Sequence, residues 1–404
     1  MINATPDSSA HLTTRAVHGG RQDLRSLGVH APPIDLSTTY PFEDLDTAAE
    51  SLQDLAHGAP EADEPVYARL YNPTVARCEA ALADLEGAST SVAFGSGMAA
   101  ITAVLLAAHQ QGGHVVAVRP LYGTTDHLLT SGLLGLEVTW TAAEDVAAAI
   151  RSDTALVLIE TPANPTLALV DSAAVAEQAG DVPVMVDSTF APPVLQRPLD
   201  HGATLSVHSA TKFLGGHGDV IAGVVSMRDD EWAAALRHVR VTTGALLHPM
   251  AAYLMHRSLP TLPQRVARAQ ETARELARRL LDDPRVAAVH FPGLTHQAAL
   301  CERQMEGPGT MIAFDVATFG AARQILQHTT RITPAVSLGS VDTLIQHPAR
   351  LTHGVVDENA KTEHGVTPGL LRLSVGGEHV DDLWNDLDTA LTAACTAHAV
   401  PGRG

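Results

Sequence analysis

Lysine is almost missing from this 404-residue chain: among 26 basic residues only Lys212 and Lys361 carry a primary amine. Chemistry that needs such an amine, for example a Schiff base with an aldehyde cofactor, therefore has two places to occur. Cysteine is nearly as scarce. Cys78, Cys301 and Cys395 are too few and too far apart for a disulfide framework or a four-thiolate zinc site, and they point to a reducing compartment. His201, His208 and His217 cluster loosely, but neither HExxH nor a paired CxxC accompanies them, so no metal is expected. No apolar run reaches eighteen residues, and the opening MINATPDSSAHLTTRAVHGG lacks the apolar stretch of a signal peptide. A cytoplasmic protein without a membrane span is expected. Positive charge is also short. Against 45 acidic residues the net charge is -19, which disfavours nucleic acid, anionic membranes and other acidic partners.

What is present suits a folded protein of two or three units, with 45% hydrophobic and 18% charged residues. Residues 1–66 are mixed and rich in Pro, Asp and Ser, and read as an extended arm or small lobe without a core of its own. Asn72 and Pro73 look like the cap and first turn of a helix that runs through CEAALADLE to Glu86 and stops at Gly87. Seven short apolar runs follow: SVAF, HVVAV, LEVTW, ALVLIE, VPVMVD, TLSVHS and IAGVVSM. They lack a strict period of two, which predicts a mostly parallel sheet covered on both faces, in an α/β domain spanning 67–264. RVARAQETARELARRLLDD, from Arg265 to Asp283, predicts a long amphipathic helix linking this unit to the rest. Beyond it TMIAFDV, AARQILQH, LLRLSV and DDLWNDLDTALTAA predict a smaller α+β domain over 265–404.

Lys212 stands in HSATKFLGGHGD, just past the strand that ends near Ser209. Ligands of open α/β sheets gather at the carboxyl ends of strands, so this amine is well placed. Ser209 and Thr211 add hydroxyls, and glycines at 215, 216 and 218 allow close backbone approach. Lys361, in DENAKTEHG, reads as an ordinary solvent-facing charge. Asp187 ends VPVMVD and is either the partner of a protonated pyridine nitrogen or a cap or turn aspartate. In FGSGMAA, Ser96, Gly97 and Met98 would offer free N–H groups to a phosphate at a helix start, or form a tight turn with no ligand. Tyr122 follows HVVAV in a chain with only 4% aromatics, and either stacks on a planar cofactor or packs in the core. Amine, acid, phosphate turn and ring together are the parts needed to hold pyridoxal 5'-phosphate.

These residues also carry a resemblance. YARLYNPT (67–74), GSGMAA (95–100), LYGTT (121–125), ETPANPT (160–166), VDSTFAPP (186–193), HSATKFLGGHGD (208–219), SLGSVDTLIQHPA (337–349) and LLRLSVGGE (370–378) span nearly the whole chain. In combination they are similar to the Cys/Met-metabolism family of pyridoxal phosphate enzymes, which includes cystathionine γ-lyase, cystathionine γ-synthase, methionine γ-lyase and acyl-homoserine sulfhydrylase. The resemblance implies the aspartate-aminotransferase-like (type I) fold, with a large mostly parallel sheet domain and a smaller C-terminal α+β domain. It implies Lys212 as the Schiff-base lysine and proton shuttle, and Asp187 on the pyridine nitrogen. Ser209, Thr211 and the Gly97 and Met98 backbone would hold the phosphate, while Tyr122 stacks on the ring and assists proton transfer or leaving-group departure. Arg372 would grip the substrate α-carboxylate with Ser337 and Asn164. Tyr67 and Arg69 would reach the phosphate of a neighbouring subunit, implying a homodimer with shared sites within a homotetramer, its 1–66 arm lying against the neighbour.

Departures from the family pattern bear on substrate. Ala68 replaces the serine of YSR, which leaves the flanking tyrosine and arginine in place. Thr124 stands where methionine γ-lyases usually have cysteine, and Arg240 and Val241 replace a KD pair; both changes weaken a methionine-specific reading. Val336 replaces the glutamate that cystathionine-processing enzymes carry before SLG, which favours methionine γ-lyase or the sulfhydrylases. The expected activity is γ-elimination on L-methionine, L-homocysteine or L-cystathionine, giving 2-oxobutanoate, ammonia and a thiol. The alternatives are γ-replacement on O-acetyl- or O-succinyl-L-homoserine with sulfide, a thiol or cysteine, and a non-catalytic cofactor-binding regulatory protein.

Overall fold

A computed structural model describes residues 10–354 and 357–398. The first nine residues of the expected arm, and 355–356 and 399–404 of the expected C-terminal domain, lie outside the described residues. In chain order, α1 (Leu12–His18) and α2 (Leu45–Ala56) belong to the N-terminal segment. They precede α3 (Pro73–Glu86), β1 (Thr90–Phe94), α4 (Gly97–His109), β2 (His114–Val118), α5 (Gly123–Thr130), β3 (Glu137–Thr141) and α6 (Val146–Ala149). Next come β4 (Thr154–Glu160), α7 (Ser172–Ala179), β5 (Val184–Asp187), β6 (Leu205–His208), β7 (Gly223–Met227), α8 (Asp230–Thr243) and α9 (Pro249–Ser258). The rest comprises α10 (Leu262–Leu281), β8 (Ala288–His290), α11 (Ala298–Gln304), β9 (Met311–Asp315), α12 (Phe319–His328), β10 (Thr333–Pro334), β11 (Leu344–Gln346), α13 (Glu358–Glu363), β12 (Leu370–Ser374) and α14 (Val380–His398).

Each apolar run forms a strand of one seven-stranded sheet, ordered β1-β7-β6-β5-β4-β2-β3. Only β7 runs against its neighbours β1 and β6. Alternate side chains enter opposite layers, which is why the strands read as unbroken apolar runs. Val115, Ala117, Leu156 and Leu158 pack with α4 and α8, whereas Val116, Val118, Val157 and Ile159 pack with α6 and α7. The helix α3 starts as its sequence dictates: Asn72 Oδ1 accepts from Thr74 N at 3.0 Å and Val75 N at 3.1 Å. Gly87 ends it in the left-handed region, at φ 66°.

The second sheet, β10-β11-β12-β9-β8, is antiparallel apart from the β10–β11 pair. α10 starts three residues earlier than its amphipathic pattern suggests, because Pro263 occupies a first-turn position where its missing N–H costs nothing. Its Ala273, Leu276 and Leu280 pack with Phe314, Leu373 and Leu387 in the core beneath that sheet. The N-terminal segment is tied to α3 by Arg77, which donates to Gly20 O and pairs both Nη atoms with Asp23. Leu36 and Leu45 of this segment stay exposed, at 56% and 69%. Among the described residues no helix is long and apolar enough to cross a membrane.

One expectation is overturned. Lys361 is not a solvent-facing charge but a buried side chain of α13, only 5% exposed. Its neighbourhood includes His353, whose protonation it disfavours, a tertiary placement that an isolated DENAKTEHG does not announce.

Candidate active site

A cavity of about 560 Å³ opens where β4, β5 and β6 end, with walls from both sheets' units. Lys212, Asp187, Ser209, Thr211, Gly97, Met98, Tyr122, Asn164, Ser337 and Arg372 all line it. Ten positions scattered from 97 to 372 thus converge on one hollow.

Lys212 Nζ donates to Ser337 Oγ at 2.7 Å. Burial, and secondarily the Arg372 guanidinium, pull the lysine pKa down to about 8. Ser337 holds a left-handed φ of 89°, strain of the kind that persists where surrounding structure fixes a residue's direction. That conformation sends its Oγ to Lys212 and its carbonyl to Arg372 Nη2, at 2.9 Å.

Asp187, at the end of β5, is buried, and burial raises its pKa. Its Oδ1 accepts from Thr189 N at 3.0 Å and Thr189 Oγ1 at 2.6 Å, while Thr189 Oγ1 accepts from Ser209 N at 2.9 Å. The side chain therefore makes a turn bond and still lines the cavity; it caps no helix.

The 96–98 segment begins α4, where Ser96 Oγ accepts from Ala99 N at 3.0 Å. The amides of Gly97 and Met98 lie in the helix's first turn, where no intrahelical acceptor exists. A Cβ at Gly97 would lie 2.8 Å from Ser209 Cβ, so only glycine lets this turn approach the 209–212 loop. Two first-turn amides and the Ser209 hydroxyl could donate to a phosphate dianion, with Thr211 beside them once its hydroxyl turns from Ala222 O, to which it donates at 3.2 Å. With an amine and a carboxylate across the same cavity, the chemistry fits pyridoxal phosphate.

Arg372 enters from β12 and is only 2% exposed; burial lowers its pKa to about 9. Nη1 donates to Asn164 Oδ1 at 2.6 Å. With the Gln346 amide turned so that its oxygen faces the guanidinium, that oxygen accepts from Nη2 at 2.6 Å.

Two residues that the sequence reading passed over stand behind this set. Glu160, the last residue of β4, is paired in register with Asp187. Burial first, and the Asp187 charge second, push its pKa well up. His353 Nε2 donates to Asn164 O at 3.2 Å; burial and Arg372 bring its pKa down to about 4, so the ring is neutral. Glu160 had a signal, a carboxylate ending a buried strand as Asp187 does; His353 had none.

Tyr67 and Arg69 are not in this cavity. They line a separate hollow with Arg240, Leu247 and His248, where Arg69 Nη1 donates to Val241 O at 2.7 Å. Among the described residues no group of three or more His, Cys, Asp or Glu could hold a metal ion.

A mostly parallel sheet with a lysine after β6, a strand-end aspartate and a glycine-led helix start facing one cavity fit a pyridoxal phosphate-dependent enzyme of the aspartate-aminotransferase-like fold. The family described as Cys/Met metabolism PLP-dependent enzyme matches residues 13–392, and the chain belongs to it. It is 56% identical over 382 residues to an L-methionine gamma-lyase of Streptomyces avermitilis, covering 94% of this chain and 89% of that protein. An L-methionine gamma-lyase of Brevibacterium sandarakinum is 55% identical over 396 residues, covering 96% and 100%. Among solved structures, a cystathionine gamma synthase from Xanthomonas oryzae pv. oryzae superposes with a TM-score of 0.89 at 35% identity, over 96% of this chain and 99% of that one. A methionine gamma lyase from Micromonospora echinospora gives 0.84 at 40% identity, over 95% and 100%.

Proposed function

We propose that this enzyme performs γ-elimination on L-methionine and related sulfur amino acids, consuming one water and releasing 2-oxobutanoate, ammonia and a thiol. The observation that carries this reading is the apolar part of the cavity lining, which includes Ile221, Val336, Leu338 and Leu351. An apolar wall suits a methylthio group. Among the described residues the carboxylates lining the cavity are Glu160, which accepts from two backbone amides, and Asp187, whose role is at the ring nitrogen, so a distal ammonium such as that of cystathionine has no dedicated anion to meet. The names of the relatives at 55–56% identity agree.

Bound pyridoxal phosphate supplies a conjugated electron sink for the carbanion left at the substrate α-carbon. The Gly97 and Met98 amides with Ser209 and Thr211 would hold its phosphate, and Asp187 would pair with its ring nitrogen. Lys212 would anchor it, and its Nζ, as a free amine, would serve as the base for the substrate α-proton. Ser337 Oγ, 2.7 Å from Nζ, keeps that amine aimed into the cavity. Arg372, fixed by Asn164, pairs with the substrate carboxylate, and Tyr122 stacks on the ring and protonates the departing thiolate. Tyr67 and Arg69 complete the phosphate site of a neighbouring subunit, in a homodimer paired into a tetramer. The 1–66 arm lies against that neighbour, with domains over 67–264 and 265–404 and a cytoplasmic location.

The deciding assay follows 2-oxobutanoate from L-methionine, L-homocysteine, L-cystathionine and O-acetyl-L-homoserine, each with and without added thiol. Thiol-independent release, greatest with L-methionine, is expected. Thiol-dependent consumption of O-acetyl-L-homoserine alone would replace this reading with γ-replacement, in keeping with the cystathionine gamma synthase likeness.

A further inference from the structure

Glu160 is buried, borders the cavity and is given no role by the chemistry above. Its two oxygens are committed to different segments. Oε2 accepts from the backbone N–H of Tyr122 at 2.5 Å, across 38 residues of sequence. Oε1 accepts from the backbone N–H of Asn164 at 2.9 Å. Asn164 in turn accepts from Arg372 through Oδ1 and from His353 through its carbonyl. One carboxylate thus joins the loop that carries the stacking ring to the loop that orients the buried arginine.

We propose that Glu160 is a positioning residue that sets Tyr122 and the Asn164–Arg372 pair in register with each other, through simultaneous hydrogen bonds to the two loops. The inference rests on the proposed function for the roles of Tyr122 and Arg372, and adds the link between them. A carboxylate is needed because both partners are donors. Glutamine accepts through one terminus and presents N–H₂ to the other amide, so it breaks one tie while keeping volume. A buried amide left without its acceptor, in a site where sub-ångström placement matters, is expected to change substrate affinity on the order of tenfold or more.

The test compares the pyridoxal phosphate-loaded parent with Glu160→Gln, Asn164→Ala and the double variant. Steady-state constants for L-methionine are read together with the visible circular dichroism of the bound cofactor, which reports ring environment without turnover. Glu160→Gln is expected to raise KM about tenfold or more, lower kcat and weaken the dichroism band, with cofactor content unchanged because the phosphate donors do not touch Glu160. Asn164→Ala removes only the Arg372 bond and leaves the Tyr122 tie, so Glu160→Gln should still weaken the dichroism band in that background. A parental KM and band in Glu160→Gln, or a band unchanged by Glu160→Gln in the Asn164→Ala background, would overturn the proposal.

Should Glu160→Gln fail to fold, Glu160→Asp keeps the carboxyl group but falls one methylene short of spanning both amides. The same KM rise and weakened band are expected there, and parental values overturn the link. Failure of the proposed function shows separately, as a parent that releases no 2-oxobutanoate from L-methionine. The Glu160 comparison is then read on whichever of the four substrates turns over, and on the dichroism band.

Discussion

At Lys212 two environmental effects act on one amine. Removal from water disfavours its cation, and the nearby guanidinium of Arg372 adds repulsion, which together bring its pKa to about 8. Only the neutral amine attacks an aldehyde. A lowered pKa therefore makes the reactive form dominant above about pH 8, where an ordinary lysine would still be charged. Cofactor-free protein mixed with pyridoxal phosphate should attach it at a rate that rises as pH increases through 8 and levels above it; a rate still climbing steeply near pH 10 would contradict the site's electrostatics. Borohydride reduction then identifies the anchor. Lys212→Ala is expected to abolish stable attachment, since the chain's one other lysine, Lys361, is buried away from the cavity lining. Undiminished attachment in that variant would remove Lys212 from its role.

The start of α4 is where the proposed phosphate site depends on backbone. Gly97 must bring its amide beside the 209–212 loop, and a methyl group there would meet Ser209 Cβ at 2.8 Å and Cα at 3.0 Å. Overpacking against a backbone that cannot yield costs about 1–3 kcal/mol. In Gly97→Ala that strain is relieved by moving the turn away from Ser209, which separates the phosphate donors. Fluorescence titration should find pyridoxal phosphate affinity reduced about tenfold or more, while the melting temperature of the cofactor-free protein changes little. Equal affinity would mean that this turn does not hold the phosphate. The same element also explains what was legible in sequence. Strands buried on both faces must be apolar runs, and Asn72–Pro73 or Ser96–Gly97 encode their helix starts locally, so sheet, caps and cavity-lining segments could be read directly. Glu160 and His353 could not be assigned roles that way. Each acts through a backbone atom remote in sequence, 38 residues away for Glu160 and 189 for His353, and a hydrogen bond to backbone leaves no trace in the partner's residue type. Lys361 was misread for the same reason, because burial is a property of what packs over a segment.

For the whole molecule, the single chain leaves two facts unreconciled until a second copy is added. Tyr67 and Arg69 lie in a hollow apart from the Lys212 cavity, although the YAR segment is among the motifs shared with the family. The N-terminal segment before them exposes Leu36, Phe42 and Leu45 by 51% to 69%, and Tyr67 itself is 42% exposed. The two-fold dimer proposed above would answer both, since it would cover the apolar surface and carry each Arg69 to the partner's phosphate site. Geometry then makes a quantitative prediction. In a dimer built from one Arg69→Ala chain and one Lys212→Ala chain, one site receives both defects and the other receives neither. Random reassortment of equal amounts places about half the chains in such mixed dimers, so an equimolar mixture of two inactive variants should regain about a quarter of the parental activity. Exchange can be verified independently by tagging one variant and recovering the pair. Mixed dimers that form and stay inactive would show that Arg69 serves its own chain, and the second hollow would need another explanation.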